Sequence, residues 1–155
     1  MASALRAVGM SAQVDELEVA MNHAAEKAAG EATPVFVDAI TQMSFEDARG
    51  ILTGGDTAAT QYFQKTTSDP LRTRFSPIVA DAMKDVGVNK LYEQLSGRYT
   101  SAVPFASAPK LDLNRYVTDK TLSGLFTVVG EEEKKIRKDP VGTGSAILRR
   151  VFGAL

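Results

Sequence analysis

The sequence predicts an all-α protein, and three observations support that prediction. Apolar residues recur at every third or fourth position along most of the chain, which is the spacing of one helix face. Ser, Thr or Asp residues precede these stripes and glycines follow them, as is typical of helix starts and ends. No stretch shows the sustained period-two alternation of a β-strand. We therefore expect residues 1–155 to form a single compact domain of about seven or eight short-to-medium helices.

The first four helices are predicted from their boundaries. Gly9 ends a short first helix, and Ser11 caps the second. Thr33–Pro34 combines an N-cap with a proline at the first helical position and starts the third. Ser44 opens the capping-box sequence "SFED" and starts the fourth. The predicted buried stripes are Val14, Leu17, Met21, Ala24 and Ala28, then Phe36, Ala39, Ile40 and Met43, then Phe45, Ala48, Ile51 and Leu52.

The segment "GGDTAAT" at 54–60 is the one short stretch whose composition suggests chemistry. A phosphate-binding loop would follow a strand and carry a Gly-Lys-Ser or Gly-Lys-Thr sequence, and neither condition is met. We interpret the segment as helix punctuation. Gly54 ends one helix with a positive φ, Gly55 turns the chain and Asp56 caps the next helix. The buried stripe of that next helix is predicted to be Ala59, Tyr62, Phe63 and Thr66.

Proline and glycine residues divide the second half of the chain. Asp69–Pro70 repeats the cap-and-proline pattern and starts another helix, which Pro77 should kink or split. Gly87 ends that helix, and Gly97 ends the short one that follows. Residues 98–111 contain two prolines and several small residues, and they are predicted to form the one long, mobile, irregular connection.

Two further helices complete the prediction. Asp112 starts a long helix that continues to about Lys138, where Asp139–Pro140 ends it. The apolar stripe of the last helix is Ile147, Leu148, Val151, Phe152 and Leu155. We expect this helix, which also carries Arg149 and Arg150, to close the core; docking on a membrane or a partner is the alternative.

Composition excludes several classes of partner and site. The chain is 44% hydrophobic and 24% charged, with a formal net charge of −1. A net charge this small creates no overall electrostatic attraction for nucleic acid. No apolar run approaches the length of a membrane span, which is about 20 residues. There is no cysteine, and the single histidine, His23, stands beside Glu26 in a His-x-x-Glu pair that cannot by itself supply a di-iron or zinc site. We therefore assign no catalytic, cofactor-binding or metal-binding residue.

The run "EEEKKIRKD" at 131–139 allows two interpretations. Helical spacing continues the apolar stripe that precedes it through Glu132 and Glu133. Either the helix end projects past the core with both acids solvated, or one Glu is partly buried and bonded to a neighbouring helix or to Arg137. The solvated interpretation is preferred because exposed ion pairs contribute little. A Glu that only holds helices together should tolerate Gln at a cost of about 1 kcal/mol or less.

Other polar side chains lie close to the apolar stripes, where they would bond to backbone or line a small cavity. Together with the acidic run, the candidate cavity or packing residues are Asn22, Asp47, Thr60, Tyr62, Thr66, Glu132, Glu133 and Arg137.

Several stretches, in order and across nearly the whole chain, carry a family resemblance. They are "AMNHAAEKA" (20–28), "PVFVDAITQMSFEDARGIL" with the following "GG" (34–55 without Thr53), "AATQYFQKTTSDPL" (58–71), "YVTDKTLSGLF" (116–126), "EEEKKIRKDP" (131–140) and "LRRVF" (148–152). The chain resembles the bacterial domain-of-unknown-function family 4197. The resemblance implies an exported, periplasmic helical domain, and it implies no activity and no catalytic residues. Because members of that family usually begin with an export signal and another helical stretch, we expect a natural N-terminal segment to precede residue 1.

Two function classes follow as hypotheses. The leading one is a non-enzymatic binding or interaction module of the bacterial cell envelope, which takes a small hydrophobic ligand or an envelope protein between its helices. The alternative is a hydrolase-like enzyme whose carboxylate-containing interhelical site gathers Asp47, Tyr62, Glu132 and Arg137. Convergent desolvated acids would favour the enzyme, whereas an apolar groove without a perturbed carboxylate would favour the binding module. The sequence leaves the oligomeric state open.

Overall fold

A computed structural model of the protein describes residues 2–102 and 111–139. Within them the chain forms seven α-helices: α1 (Ala2–Ala7), α2 (Ser11–Ala29), α3 (Ala32–Thr41), α4 (Phe45–Thr53), α5 (Ala58–Asp85), α6 (Val88–Ala102) and α7 (Leu113–Lys138). These two ranges contain no β-strand, so the all-α prediction is confirmed. None of the seven helices is both long and apolar enough to cross a membrane. The predicted last helix lies outside the described residues, as do residues 103–110 of the predicted irregular connection.

The chain divides into two compact units. The first comprises the described residues of Met1–Glu31 and Arg72–Thr121, and the second those of Ala32–Leu71 and Leu122–Leu155. Helices α5 and α7 therefore contribute residues to both units. The expectation of a single domain stays a prediction.

In the first unit, α1, α2 and α6 pack against one another. Their buried apolar side chains are Leu5, Val14, Leu17, Ala24, Ala28, Val88 and Leu95. Four of these seven belong to the five-residue stripe predicted for α2, and its remaining member, Met21, is half-buried. Gly9 and Gly87 follow the ends of α1 and α5 with φ of +84° and +66°, a conformation that glycine adopts without the penalty other residues meet.

In the second unit, aromatic side chains join α3, α5 and α7. The ring of Phe36 lies 5.2 Å from that of Phe63 and 6.3 Å from that of Phe126, both edge to face. Tyr62 continues the cluster, 5.5 Å from Phe63. Each such pair stabilises a fold by about 0.5–1.5 kcal/mol beyond the burial of its area. The cluster orients the first turns of α5 against α3 and α7.

The helix start predicted at Asp69–Pro70 is wrong, because α5 continues unbroken through it and through Pro77. A proline inside a helix costs about 3 kcal/mol because it removes a hydrogen bond and crowds the preceding turn. Both prolines are exposed, whereas Leu71 and Phe75 between them are 0% exposed. Burial of these two side chains stabilises the helix and helps to offset the cost of the prolines. Because burial depends on residues elsewhere in the chain, the local sequence pattern does not reveal it.

Two other boundaries differ from the prediction. Helix α3 begins at Ala32, so Thr33–Pro34 lies inside its first turn, where the missing N–H of proline costs nothing. Helix α6 continues through Gly97 to Ala102, so residues 98–102 of the predicted irregular connection are helical. Residues 111–112 are non-helical, as expected.

Candidate functional site

The segment "GGDTAAT" at 54–60 contains the connection between α4 and α5. Helix α4 ends at Thr53 and α5 begins at Ala58, so the last carbonyls of one helix and the first amides of the other both need partners. Gly54 has φ −81°, so the predicted positive φ is wrong. Glycine is required there for space, since a Cβ would lie 2.6 Å from the Gly50 carbonyl oxygen and 2.6 Å from the Cβ of Ala58.

A carboxylate from α7 binds the first amides of α5. The Ala59 amide donates to Glu133 Oε1 at 2.9 Å, and the Thr60 amide donates to Oε2 at 2.7 Å. The Thr60 hydroxyl donates to the same Oε2 at 2.6 Å. A carboxylate in this position satisfies two otherwise unpaired donors and interacts favourably with the helix dipole. The capping role predicted for Asp56 is therefore filled by a residue more than 70 positions away in the chain.

The same turn of α7 also binds the end of α4. Arg137 donates from Nε and Nη2 to Glu133 Oε1, at 2.9 and 2.7 Å. Its Nη2 also donates to the carbonyl oxygen of Ile51, in the last turn of α4, at 2.6 Å. A cation at a helix C-terminus and an anion at a helix N-terminus are each favourable. We call Glu133 and Arg137 the junction clamp, because this one ion pair holds both helices of the connection.

Hydrogen bonding keeps the clamp carboxylate ionised. Burial, with 8% of Glu133 exposed, would by itself raise the pKa of the carboxyl group. Hydrogen bonds from the Thr60 hydroxyl, from the amides of Ala59 and Thr60 and from Arg137 act in the opposite direction, and the net pKa of Glu133 lies below its ordinary value. A carboxylate of this kind suits electrostatic positioning, whereas a general acid needs a pKa near the working pH.

The solvated interpretation of the two acids is right for Glu132 and wrong for Glu133. Glu132 is exposed and accepts a hydrogen bond from Lys135 at 2.7 Å. Glu133 lies about 100° further round the helix, where it meets the first amides of α5 and Arg137. The structure therefore brings together three of the eight candidate residues, namely Thr60, Glu133 and Arg137.

The remaining candidates lie apart from the clamp, each in its own setting. Asn22 is exposed on α2. Asp47 is exposed and completes the predicted capping box with Ser44, whose hydroxyl and backbone amide lower the pKa of the Asp47 carboxyl group. The Tyr62 hydroxyl donates to the carbonyl oxygen of Ala39 at 3.2 Å, and the Thr66 hydroxyl donates to that of Tyr62 at 2.9 Å. These contacts match the backbone bonding expected of polar groups near apolar stripes.

Metal-ligating side chains do not cluster in the described parts of the chain. No group of three or more His, Asp or Glu residues there could hold a metal ion. His23 is exposed on α2.

An apolar groove lies along α4 and the start of α5, next to the backbone that the clamp holds. Its volume is about 590 Å³, and its lining residues are Met43, Phe45, Ala48, Arg49, Ile51, Leu52, Thr53, Ala59 and Phe63. The stripe of α4 was predicted to be buried, and this prediction is wrong: no residue of α4 is buried, and Phe45 is 85% exposed. An apolar stripe specifies a helix face, but whether core or groove lies against that face depends on distant parts of the chain.

A second cleft, of about 480 Å³, lies in the first unit and is polar. Its lining residues are Arg72, Ser76, Asp112, Asn114, Arg115, Thr118 and Asp119. The carboxylate of Asp119 faces two guanidinium groups, with Arg72 Nε at 3.2 Å and Arg115 Nε at 3.7 Å. Because this acid offsets the positive charge of the cleft, we do not regard the cleft as an anion site.

Comparison with known proteins gives a family and no activity. No curated protein and no solved structure matches the chain significantly. The model of one family, described as protein of unknown function (DUF4197), matches residues 1–153. The resemblance found in the sequence is thereby confirmed, and the chain belongs to the DUF4197 family.

Proposed function

We propose that the protein is a non-enzymatic binding module of the bacterial cell envelope, and that its α4 groove binds a small hydrophobic ligand or an apolar segment of an envelope protein. The observation that carries the proposal is the groove itself. Its volume of about 590 Å³ lies within the roughly 300–1,000 Å³ typical of ligand pockets. The envelope location rests on the family resemblance alone.

The exposed aromatic ring at the groove is the strongest sign that something binds there. Phe45 is 85% exposed, and burying a phenylalanine side chain is worth about 1.5–3 kcal/mol. Neighbouring apolar residues of α4 and α5 line the same groove, so an apolar occupant would remove a contiguous surface from water. Arg49 is the charged residue of the lining and would sit beside any polar end of the occupant.

The chemistry of the second unit favours binding over catalysis. The hydrolase-like alternative needs a desolvated acid with a raised pKa, but its two acids, Asp47 and Glu132, are both exposed, and Ser44 lowers the pKa of Asp47. The one buried acid nearby, Glu133, also has a lowered pKa. The Glu133 carboxylate also accepts hydrogen bonds from two backbone amides and from Arg137.

The proposal is tested with purified full-length protein and a hydrophobic fluorescent probe, anilinonaphthalene sulfonate, after native mass spectrometry for a co-purifying ligand. We expect saturable binding that Phe45→Ser weakens by about 10-fold or more, since the ring supplies part of the contact area. Val128→Ser is the matched control, because Val128 is 57% exposed on α7 and does not line the groove. Absent binding, or equal effects of the two substitutions, would refute the proposed site.

A further inference from the structure

The described helices leave the apolar face of α4 uncovered, while the sequence after α7 carries an apolar stripe of its own. No residue of α4 is buried among the described residues. Residues 140–155, which lie outside the described residues, contain the stripe Ile147, Leu148, Val151, Phe152 and Leu155. The two surfaces have the same chemistry, so the question is whether the chain places them within reach of each other.

The end of α7 is held beside the groove. Arg137 binds the carbonyl oxygen of Ile51 at 2.6 Å, and Ile51 lines the groove. The amide of Asp139 donates to the carbonyl oxygen of Lys135 at 2.9 Å, which continues the helical hydrogen bonding to the point where the chain leaves α7. Residues 140–146 then supply a spacer that can extend to about 25 Å. The spacer is therefore long enough to let the stripe contact the groove.

The spacing of the stripe fits the way amphipathic helices bind grooves. Its successive members lie one and three positions apart, so the helix predicted from the sequence would present them on one face and Arg149 and Arg150 on the other. We propose that residues 147–155 of the same chain bind the α4 groove through this apolar face. A segment tethered by a short linker has a local concentration on the order of millimolar, so even weak intrinsic binding would fill the groove.

This inference rests on the proposed function, because it makes the C-terminal segment an internal competitor of the ligand or partner. An outside ligand then binds only the fraction of molecules whose groove is open, and its apparent affinity falls by that fraction. Weakening the segment should strengthen ligand binding, whereas weakening the groove should abolish both contacts.

The first test measures the position of the segment in the full chain. Because the protein has no cysteine, Glu46→Cys on α4 and Arg150→Cys provide two unique sites for spin labels. We expect one narrow distance distribution that Phe152→Ser broadens and that Val141→Ser, outside the stripe, leaves unchanged. A distribution that is broad from the outset, or that Phe152→Ser does not alter, would overturn the inference. Loss of the short distance on dilution with unlabelled protein would assign the groove to the segment of a second copy and would also overturn it.

The second test separates this inference from the proposed function. Phe152→Ser in the full chain should strengthen binding of anilinonaphthalene sulfonate by about 10-fold, and adding Phe45→Ser should remove that gain. If the labels show a docked segment but no probe or co-purifying ligand binds in any variant, the inference stands and the proposed function fails. If the probe binds at Phe45 while the labels show no docking, the proposed function stands and the inference fails.

Discussion

Replacing the clamp carboxylate with its amide tests the structural reading of the α4–α5 junction most directly. Glu133→Gln keeps the shape of the side chain but turns one acceptor oxygen into a donor. Oε1 accepts the Ala59 amide and two nitrogens of Arg137, and Oε2 accepts the amide and hydroxyl of Thr60. In every orientation of the glutamine, its NH₂ group therefore faces at least one other hydrogen-bond donor.

The least costly orientation places the new NH₂ group near Thr60. The Thr60 hydroxyl can rotate and accept, but the Thr60 amide is left without its acceptor, and a buried unsatisfied group costs about 1–3 kcal/mol. Arg137 also loses its counter-charge, and breaking a buried pair by removing one partner costs about 3–5 kcal/mol. These two costs overlap, because removing the one carboxylate causes both, and the carbonyl of Ile51 still binds the guanidinium, so we expect a total loss at the low end of the second range, about 3 kcal/mol. This value is larger than the limit of about 1 kcal/mol that the sequence suggested, since the sequence did not reveal how many donors converge.

The assay is the free energy of unfolding by urea at pH 7, with Glu132→Gln as the matched control. Glu132 is exposed and pairs with Lys135, so its replacement should change stability by about 0.5 kcal/mol or less. The folded-state pKa of Glu133 is lowered, so its stabilisation is present above the ordinary value of 4.5 and is lost as the pH falls through the folded-state pKa. The difference between the wild type and Glu133→Gln should therefore be constant near neutral pH and shrink below about pH 4.5. A Gln variant as stable as the wild type at pH 7, or more stable, would refute this reasoning.

Three other substitutions probe the same junction by the same unfolding assay. Arg137→Lys keeps the charge but cannot hold the carboxylate and the Ile51 carbonyl together in the same fork geometry, so we expect a loss of about 1–2 kcal/mol; an unchanged stability would contradict the bridging role. Gly54→Ala should destabilise by about 1–3 kcal/mol because of its contact with backbone, whereas Gly55→Ala, with open space around it, should not; equal effects would contradict the close approach. Gly50→Ala should stabilise by up to about 1 kcal/mol, since α4 is helical there and nothing lies near the added Cβ; a loss would show that α4 is constrained in another way.

Features whose cause is local in the chain were predictable. The stripe of α2 and the Ser44 capping box depend on residues three or four positions apart, which a sequence displays directly. Gly9 and Gly87 end helices for a reason that concerns only their own backbone. These features were sufficient to predict the all-α class.

Features that depend on distant residues were not predictable. Whether Pro70 ends a helix depends on burial of its neighbours, and which acid caps α5 depends on where α7 passes. Helical spacing placed both Glu132 and Glu133 on the continuation of the apolar stripe, but nothing local showed that amides and a guanidinium would meet Glu133 alone. The groove escaped prediction for the same reason, because the apolar face of α4 has the same pattern whether it is buried or open.

The junction clamp and the groove meet at two residues, Ile51 and Ala59. Arg137 donates to the carbonyl oxygen of Ile51, Glu133 accepts from the amide of Ala59, and both Ile51 and Ala59 line the groove. Helix α4 has no buried residue, so apolar packing alone does not determine where it sits. A buried ion pair contributes little net stability compared with an apolar replacement, but its hydrogen bonds are directional and specify one arrangement. The clamp therefore explains how a short helix without a buried residue keeps its position: polar bonds at its end hold the backbone, and its apolar side chains remain available for the contacts proposed above.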